Sequence, residues 1–385
     1  MMRIAIDISA ITAPYLSGIG EYTLNLLENL LQIDRENQYI LFYNSFKQIK
    51  VRKFDYENVK LIKLGYPNKI LPLISYLFNY PKIDKLIETK VGQIDLYFLP
   101  RPNCFVFSKS VKKILLIHDL AFKIFPRFFT LKQRLFLLTV NLEKNINKYD
   151  WLIVISENTK RDIVEFLKYP ADKISILYAG LNKIFRVIDD QKKLREIKNK
   201  YHLPEHFVFS LSNLEPRKNL MSLVLAFDQL LEENLDFKKQ NLKLVIAGAS
   251  AWSYQNLFKI HQQIKNSDSI IFLGYLPSED RPFLYNLASA FVYPSFYEGF
   301  GLPPLEAMAC ACPVVASNNS SLPEVVGEAG LMIDPYNLNE LKEAVRQILT
   351  DRHLKNSLIQ KGLSRASKFD WRTSASQLLE LFRKI

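Results

Sequence analysis

A chain of 385 residues, 48% hydrophobic and 23% charged, has globular composition but is long for one core, so two domains are expected. No apolar run reaches the ~18 residues of a membrane span, and three cysteines, Cys104, Cys310 and Cys312, fit neither a disulfide framework nor a zinc site, which points to a reducing, cytoplasmic setting. The net charge of +12 is uneven: residues 1–185 carry 27 basic against 17 acidic residues, and the remainder 24 against 22. Met1–Ala13 is apolar but holds Arg3 and Asp7, so it reads as containing a first buried strand, Arg3–Ile8, and not as a signal peptide. Further β-branched runs follow at Tyr39–Tyr43, Val59–Leu64, Asp95–Leu99, Lys113–His118, Trp151–Ser156 and Ile174–Tyr178. A second series covers Phe207–Leu211, Leu242–Gly248, Ser269–Leu273, Ala290–Tyr293, Pro313–Ser317 and Leu331–Ile333. Helix-like stretches separate these runs, which is the pattern of parallel sheets covered on both faces.

The expected architecture is therefore α/β: two Rossmann-like, doubly wound domains of about six strands each. The boundary is expected near 181–202, giving domains 1–185 and 186–369. Residues 370–385 carry Trp371, Leu378, Leu379, Leu381 and Phe382 at helical spacing and are expected to cross back onto the first domain. Ligands of open parallel sheets bind beyond the carboxyl ends of the strands, so the loops following each strand are where chemistry is sought, and the cleft between two such domains is the default site.

The segment Tyr293-Pro-Ser-Phe-Tyr-Glu298-Gly299-Phe300-Gly301-Leu302-Pro-Pro-Leu-Glu306 follows a strand and opens a helix. Glycines permit close backbone approach, and a helix start is an anion site. Two carboxylates beside it suit hydroxyl donors. Together they suggest a ligand with both phosphates and vicinal hydroxyls, a nucleotide-sugar. Dipole complementation by Glu306 and simple exposure of Glu298 compete equally on spacing alone.

Glu298 and Glu306, followed by Ala-Met-Ala-Cys-Ala-Cys-Pro-Val-Val-Ala-Ser and then by Leu322-Pro-Glu-Val-Val-Gly327-Glu-Ala-Gly330, resemble the E-x7-E signature of the retaining glycosyltransferase family 4. That resemblance implies the GT-B fold, a first domain that binds the acceptor and a second that binds the nucleotide-sugar. It implies that Glu298 contacts donor-sugar hydroxyls and Glu306 the ribose, with the backbone at Phe300, Gly301 and Leu302 facing sugar and phosphates. In Ser212-Asn213-Leu-Glu-Pro-Arg217-Lys218-Asn219, Lys218 matches a lysine that neutralises the leaving diphosphate. The family's arginine position holds Asn213, a departure, with Arg217 placed to substitute or to face solvent. His118 matches a histidine beside the donor sugar. Gly18 and Gly20, between the first strand and first helix, match a loop close to the donor phosphates. Each has a plainer reading: a solvated loop for Arg217–Lys218, a structural strand-end histidine, an ordinary strand-to-helix turn, and an N-cap for Ser156.

The resemblance leans to the mannosyltransferase-like branch, so the expectation is retained transfer of a hexose, first mannose, from GDP-mannose or a UDP-sugar to a glycan or lipid-linked glycan. No cofactor and no metal are expected, since no DxD pattern is present. A non-catalytic partner subunit and a sugar-nucleotide epimerase are the alternatives. Nucleic acid is not an expected partner, because the cations form no clean stripe. The stretch from Phe122 to Phe136 mixes aromatics with cations, which suits an anionic inner membrane surface as well as a core-facing helix. Oligomeric state is not legible.

Overall fold

The computed structural model describes residues 1–13, 16–49, 51–67, 70–252 and 254–385. The chain forms two compact units, residues 1–180 with 370–385, and residues 181–369. The first is built on β1 (Arg3–Asp7), β2 (Gln38–Tyr43), β3 (Val59–Lys63), β4 (Leu96–Leu99), β5 (Lys112–Ile117), β6 (Trp151–Val154) and β7 (Ile174–Ile176), in the order β3-β2-β1-β4-β5-β6-β7. The second contains β8 (Phe207–Leu211), β9 (Lys243–Ala247), β10 (Ile270–Gly274), β11 (Ala290–Tyr293), β12 (Val314–Ser317) and β13 (Gly330–Ile333), in the order β10-β9-β8-β11-β12-β13. Every named strand pairing is parallel. Helices cover both faces, so β4, β8 and β11 are buried along their whole length, which explains their unbroken apolar runs.

The observed strands match the expected runs to within two residues. The overshoot has a local cause at β6. Ser156 leaves the ladder to cap the helix Glu157–Leu167, accepting from the Thr159 N–H at 3.1 Å. Each sheet reverses its strand order once, between β1 and β4 and between β8 and β11. These are the points where loops from the two neighbouring strands diverge and leave a crevice.

The terminal helix Trp371–Lys384 belongs to the first unit. It buries Trp371, Leu378, Leu379 and Phe382. Trp371 meets Tyr22 edge-on at 5.0 Å between ring centres, and Phe382 meets Phe98 at 5.8 Å. Tyr22 lies on the helix Gly18–Ile33, whose buried stripe of Leu26, Leu27, Leu30 and Leu31 supplies the other half of this packing. The break between units falls at Gly180–Leu181. Arg186 and Ile188 go with the second unit because Asn286 binds both backbones, accepting from the Ile188 N–H at 2.9 Å and donating to the Arg186 carbonyl at 2.9 Å.

Candidate active site

In the second unit the two loops at the sheet's reversal point carry the charged residues. The loop after β8 makes a short 3-10 turn, Pro216–Lys218, and then turns at Asn219, which adopts φ 55°. An asparagine tolerates that left-handed conformation better than most residues. Asn219 also donates to the Pro335 carbonyl at 2.8 Å, which anchors the turn. The loop after β11 leads to Gly301 and the helix Leu302–Ala309. The Phe296 N–H donates to the Arg217 carbonyl at 2.9 Å and joins the two loops.

Their side chains form one buried ion cluster. Lys218 Nζ donates to Glu298 Oε1 at 2.7 Å and to the Tyr293 hydroxyl at 2.9 Å. Arg217 Nη1 donates to Glu298 Oε2 at 3.1 Å and to the Tyr297 carbonyl at 2.8 Å, while its Nη2 reaches Glu215 Oε1 at 2.8 Å. Glu215, Lys218 and Glu298 are all buried. Burial opposes ionisation of Glu298, but the Lys218 and Arg217 charges and the Lys218 hydrogen bond outweigh it and hold its carboxyl at about 2. The cluster thus holds an anion between two cations with its backbone fixed at both ends: the Glu298 N–H donates to Ser320 Oγ and its carbonyl accepts from Ser321 Oγ.

Glu306 lies one helical turn into Leu302–Ala309, buried, and its Oε2 accepts from the Tyr285 hydroxyl at 2.9 Å. Burial and then the Glu306 charge push the Tyr285 phenol well above its ordinary value, so it stays a donor. Gly301 caps the helix at φ 109°, and a Cβ there would lie 2.6 Å from Leu322 Cδ2. Phe300 is buried and Leu302 half-buried. The helix start is narrower as a donor site than its position suggests. Pro303 and Pro304 lack N–H groups, so among residues 302–305 only Leu302 and Leu305 can donate. Asn213 is exposed in its loop.

In the first unit the reversal point lies between β1 and β4. Asp7 ends β1 and its Oδ2 accepts from Asn103 Nδ2 at 3.0 Å. His118 follows β5, buried, with Nε2 donating to the Pro100 carbonyl at 2.9 Å and its ring edge-on to Tyr22 at 5.2 Å. Burial lowers the imidazole to about 4, so His118 is neutral near pH 7. With the proton on Nε2, the remaining Nδ1 is an acceptor. Asp119 caps the following turn through the Ala121 N–H at 2.9 Å. Gly18 opens the first helix with space around it, whereas Gly20 is required by packing, because a Cβ would lie 2.9 Å from the Ala10 carbonyl.

Four contributors were missed by sequence reasoning: Glu215, Tyr285, Tyr293 and Asn103. Tyr293 could have been found, since it ends β11 at the carboxyl edge. Tyr285 carries no local signal, being set only by the packing of its helix against Leu302–Ala309. No group of three or more His, Cys, Asp or Glu side chains among the described residues is arranged to hold a metal ion.

Residues 190–365 match the family described as glycosyl transferases group 1. The O-antigen chain mannosyltransferase B of Escherichia coli is 28% identical over 96% of this chain and 96% of its own. The chain is a glycosyltransferase whose second unit carries this family's domain. The serotype-specific mannosyltransferase WbdA of E. coli is 31% identical over 64% of this chain, and that match spans only 30% of WbdA. Among solved structures, Anabaena HepE in complex with UDP and glucose superposes over 100% of both chains with a TM-score of 0.74 at 18% identity, which establishes the same GT-B fold for this glycosyltransferase.

Proposed function

We propose that this glycosyltransferase moves mannose, with retention, from a nucleotide-sugar to a glycan or lipid-linked glycan. The observation that carries the reading is the Arg217–Lys218–Glu298 cluster at the reversal point of the second sheet, one loop away from buried Glu306. Glu298 is an ionised acceptor for sugar hydroxyls and Glu306 for ribose hydroxyls. Lys218 and Arg217 stand beside it to stabilise the charge of a departing diphosphate. His118, Gly18, Gly20 and the backbone at Phe300, Gly301 and Leu302 take the donor-side roles that the family resemblance assigns them, and Asn213 the place of the missing arginine.

In a front-face substitution the bond from the anomeric carbon to phosphate breaks as the acceptor oxygen bonds to the same face. The acceptor's proton passes to the leaving phosphate oxygen. This chain's contribution is then electrostatic, with two cations at the leaving group and no group assigned as a covalent nucleophile. GDP-mannose is the first donor, because a relative matched over 96% of both chains is a mannosyltransferase. A UDP-sugar is the second, because the HepE structure contains UDP. The basic first unit suits an acceptor on an anionic membrane surface.

Thermal unfolding with GDP, UDP and ADP tests the donor site. A nucleotide at 100 times its Kd adds about 2.7 kcal/mol to stability. The expected result is a shift with GDP on the wild type, lost in Glu306→Ala. A shift with UDP alone would replace the base, and no shift with any nucleotide would remove the donor-site reading.

A further inference from the structure

The first unit contains a cavity of about 680 Å³ that the transfer chemistry does not use. It lies between the end of the helix Leu71–Phe78, the loop 103–109 and the chain from Thr139 to Asp150. Its cationic side gathers at the amino ends of β5 and β6, where Lys113 and Asp150 sit, whereas His118 is at the carboxyl end of β5. Five lysines line it, Lys82, Lys109, Lys113, Lys144 and Lys148, and none is in an ion pair among the described residues. The one carboxylate in the lining, Asp150, accepts the Lys113 backbone N–H at 2.8 Å. Lys113 is buried and, among the described residues, its Nζ donates to the carbonyls of Ser108 and Val111. Ser75 Oγ, also buried in the lining, has no hydrogen-bond partner among the described residues. Five cations against the single carboxylate of Asp150 leave the concavity with an excess of positive charge that a bound anion would offset.

The surface beside the cavity is apolar. The helix Leu71–Phe78 exposes Leu73, Leu77 and Phe78, the last at 71%. The helix Leu131–Val140, which leads into the cavity wall, buries only Val140 and exposes Leu131, Leu135 and Leu138, at 73%, 55% and 65%. Leucines at such exposure next to unpaired lysines match a membrane surface, with acyl chains against the helices and a charged headgroup against the cations.

We infer that the lysine-lined cavity binds the phosphate of a membrane lipid headgroup while the two apolar helix faces rest in the bilayer surface. This deepens the membrane-surface reading above and rests on it. It also moves the contact from the aromatic–basic stretch as a whole to its second part, because Phe122, Phe125, Phe128 and Phe129 are half-buried.

The test is partition of the intact protein onto phosphatidylcholine vesicles with and without phosphatidic acid, alongside binding of inorganic pyrophosphate in solution. Lys144 and Lys148 are exposed, so Lys144→Gln/Lys148→Gln leaves the fold intact. That variant should weaken partition onto phosphatidic acid vesicles by about 30-fold, roughly fivefold per lysine. The control Lys239→Gln/Lys361→Gln, with the same charge change in the second unit, should change it by less than about twofold. Leu135→Ser/Leu138→Ser should weaken vesicle partition and leave pyrophosphate binding unchanged. Equal losses in the lysine pair and its control would reduce the effect to net charge and overturn the site. Pyrophosphate binding at Lys144 and Lys148 without vesicle binding would overturn the lipid source. Turnover on a lipid-free acceptor should be the same in all three variants. Absence of turnover in the wild type, with vesicle binding retained, would count against the transfer reading and not against this one.

Discussion

Glu298 is the residue on which the site's electrostatics turn. Its carboxyl is held at about 2 against an ordinary 4.5, so its ionised form is favoured in the folded state. A depressed folded value means stability that is complete above about pH 4.5 and lost as pH falls toward 2, worth on the order of 3 kcal/mol. Glu298→Gln should therefore flatten the acid limb of stability against pH in that window, measured by denaturant unfolding at a series of pH values. An unchanged limb would show that Glu298 is not the carboxylate held ionised by Lys218 and Arg217. Transfer should fall in the same variant, since a neutral amide removes the carboxylate that Lys218 and Arg217 share, and Arg217 still has Glu215 while the buried Lys218 loses its ion pair.

At the scale of the element, the start of the helix Leu302–Ala309 combines three constraints within six residues. Gly301 adopts φ 109°, Pro303 and Pro304 fix the first turn, and Glu306 is delivered one turn on. A side chain at position 301 is strained by its backbone and meets Leu322 at once. Gly301→Ala should lower stability by about 2 kcal/mol or more, read as a drop in Tm by calorimetry, and should weaken nucleotide binding by misplacing Glu306. A variant as stable as the wild type would mean the loop relaxes without cost. The element-scale reading of the sequence succeeded here because proline, glycine and the preceding apolar strand are all local signals. It overstated the donor capacity of the helix start, since the prolines that mark it also remove N–H groups.

On the scale of the whole molecule, the last fourteen helical residues complete the first unit although they follow the second in sequence. Phe382 is 1% exposed against Phe98. Phe382→Ala should cost about 3–5 kcal/mol. Separate probes of the two units should show that loss in the first, as hydrogen exchange resolved by segment would report. Uniform loss in both would mean the units unfold as one.

What the sequence determined by itself was local: thirteen strands, the loops at their carboxyl ends, the helix start after Gly301, and the apolar stripe of the terminal helix. Each follows from periodicity, proline and glycine placement, or an N-cap, all of which act over a few residues. The tertiary structure alone decided which of those loops meet. Lys218 and Glu298 are 80 residues apart and pair because β8 and β11 are neighbours where the sheet reverses its order. Tyr285 reaches Glu306, the neutral His118 rests on Pro100, and five lysines from three separate stretches close around one cavity for the same reason. Strand order is set by the packing of whole helices against sheet faces, and no short stretch of sequence encodes it.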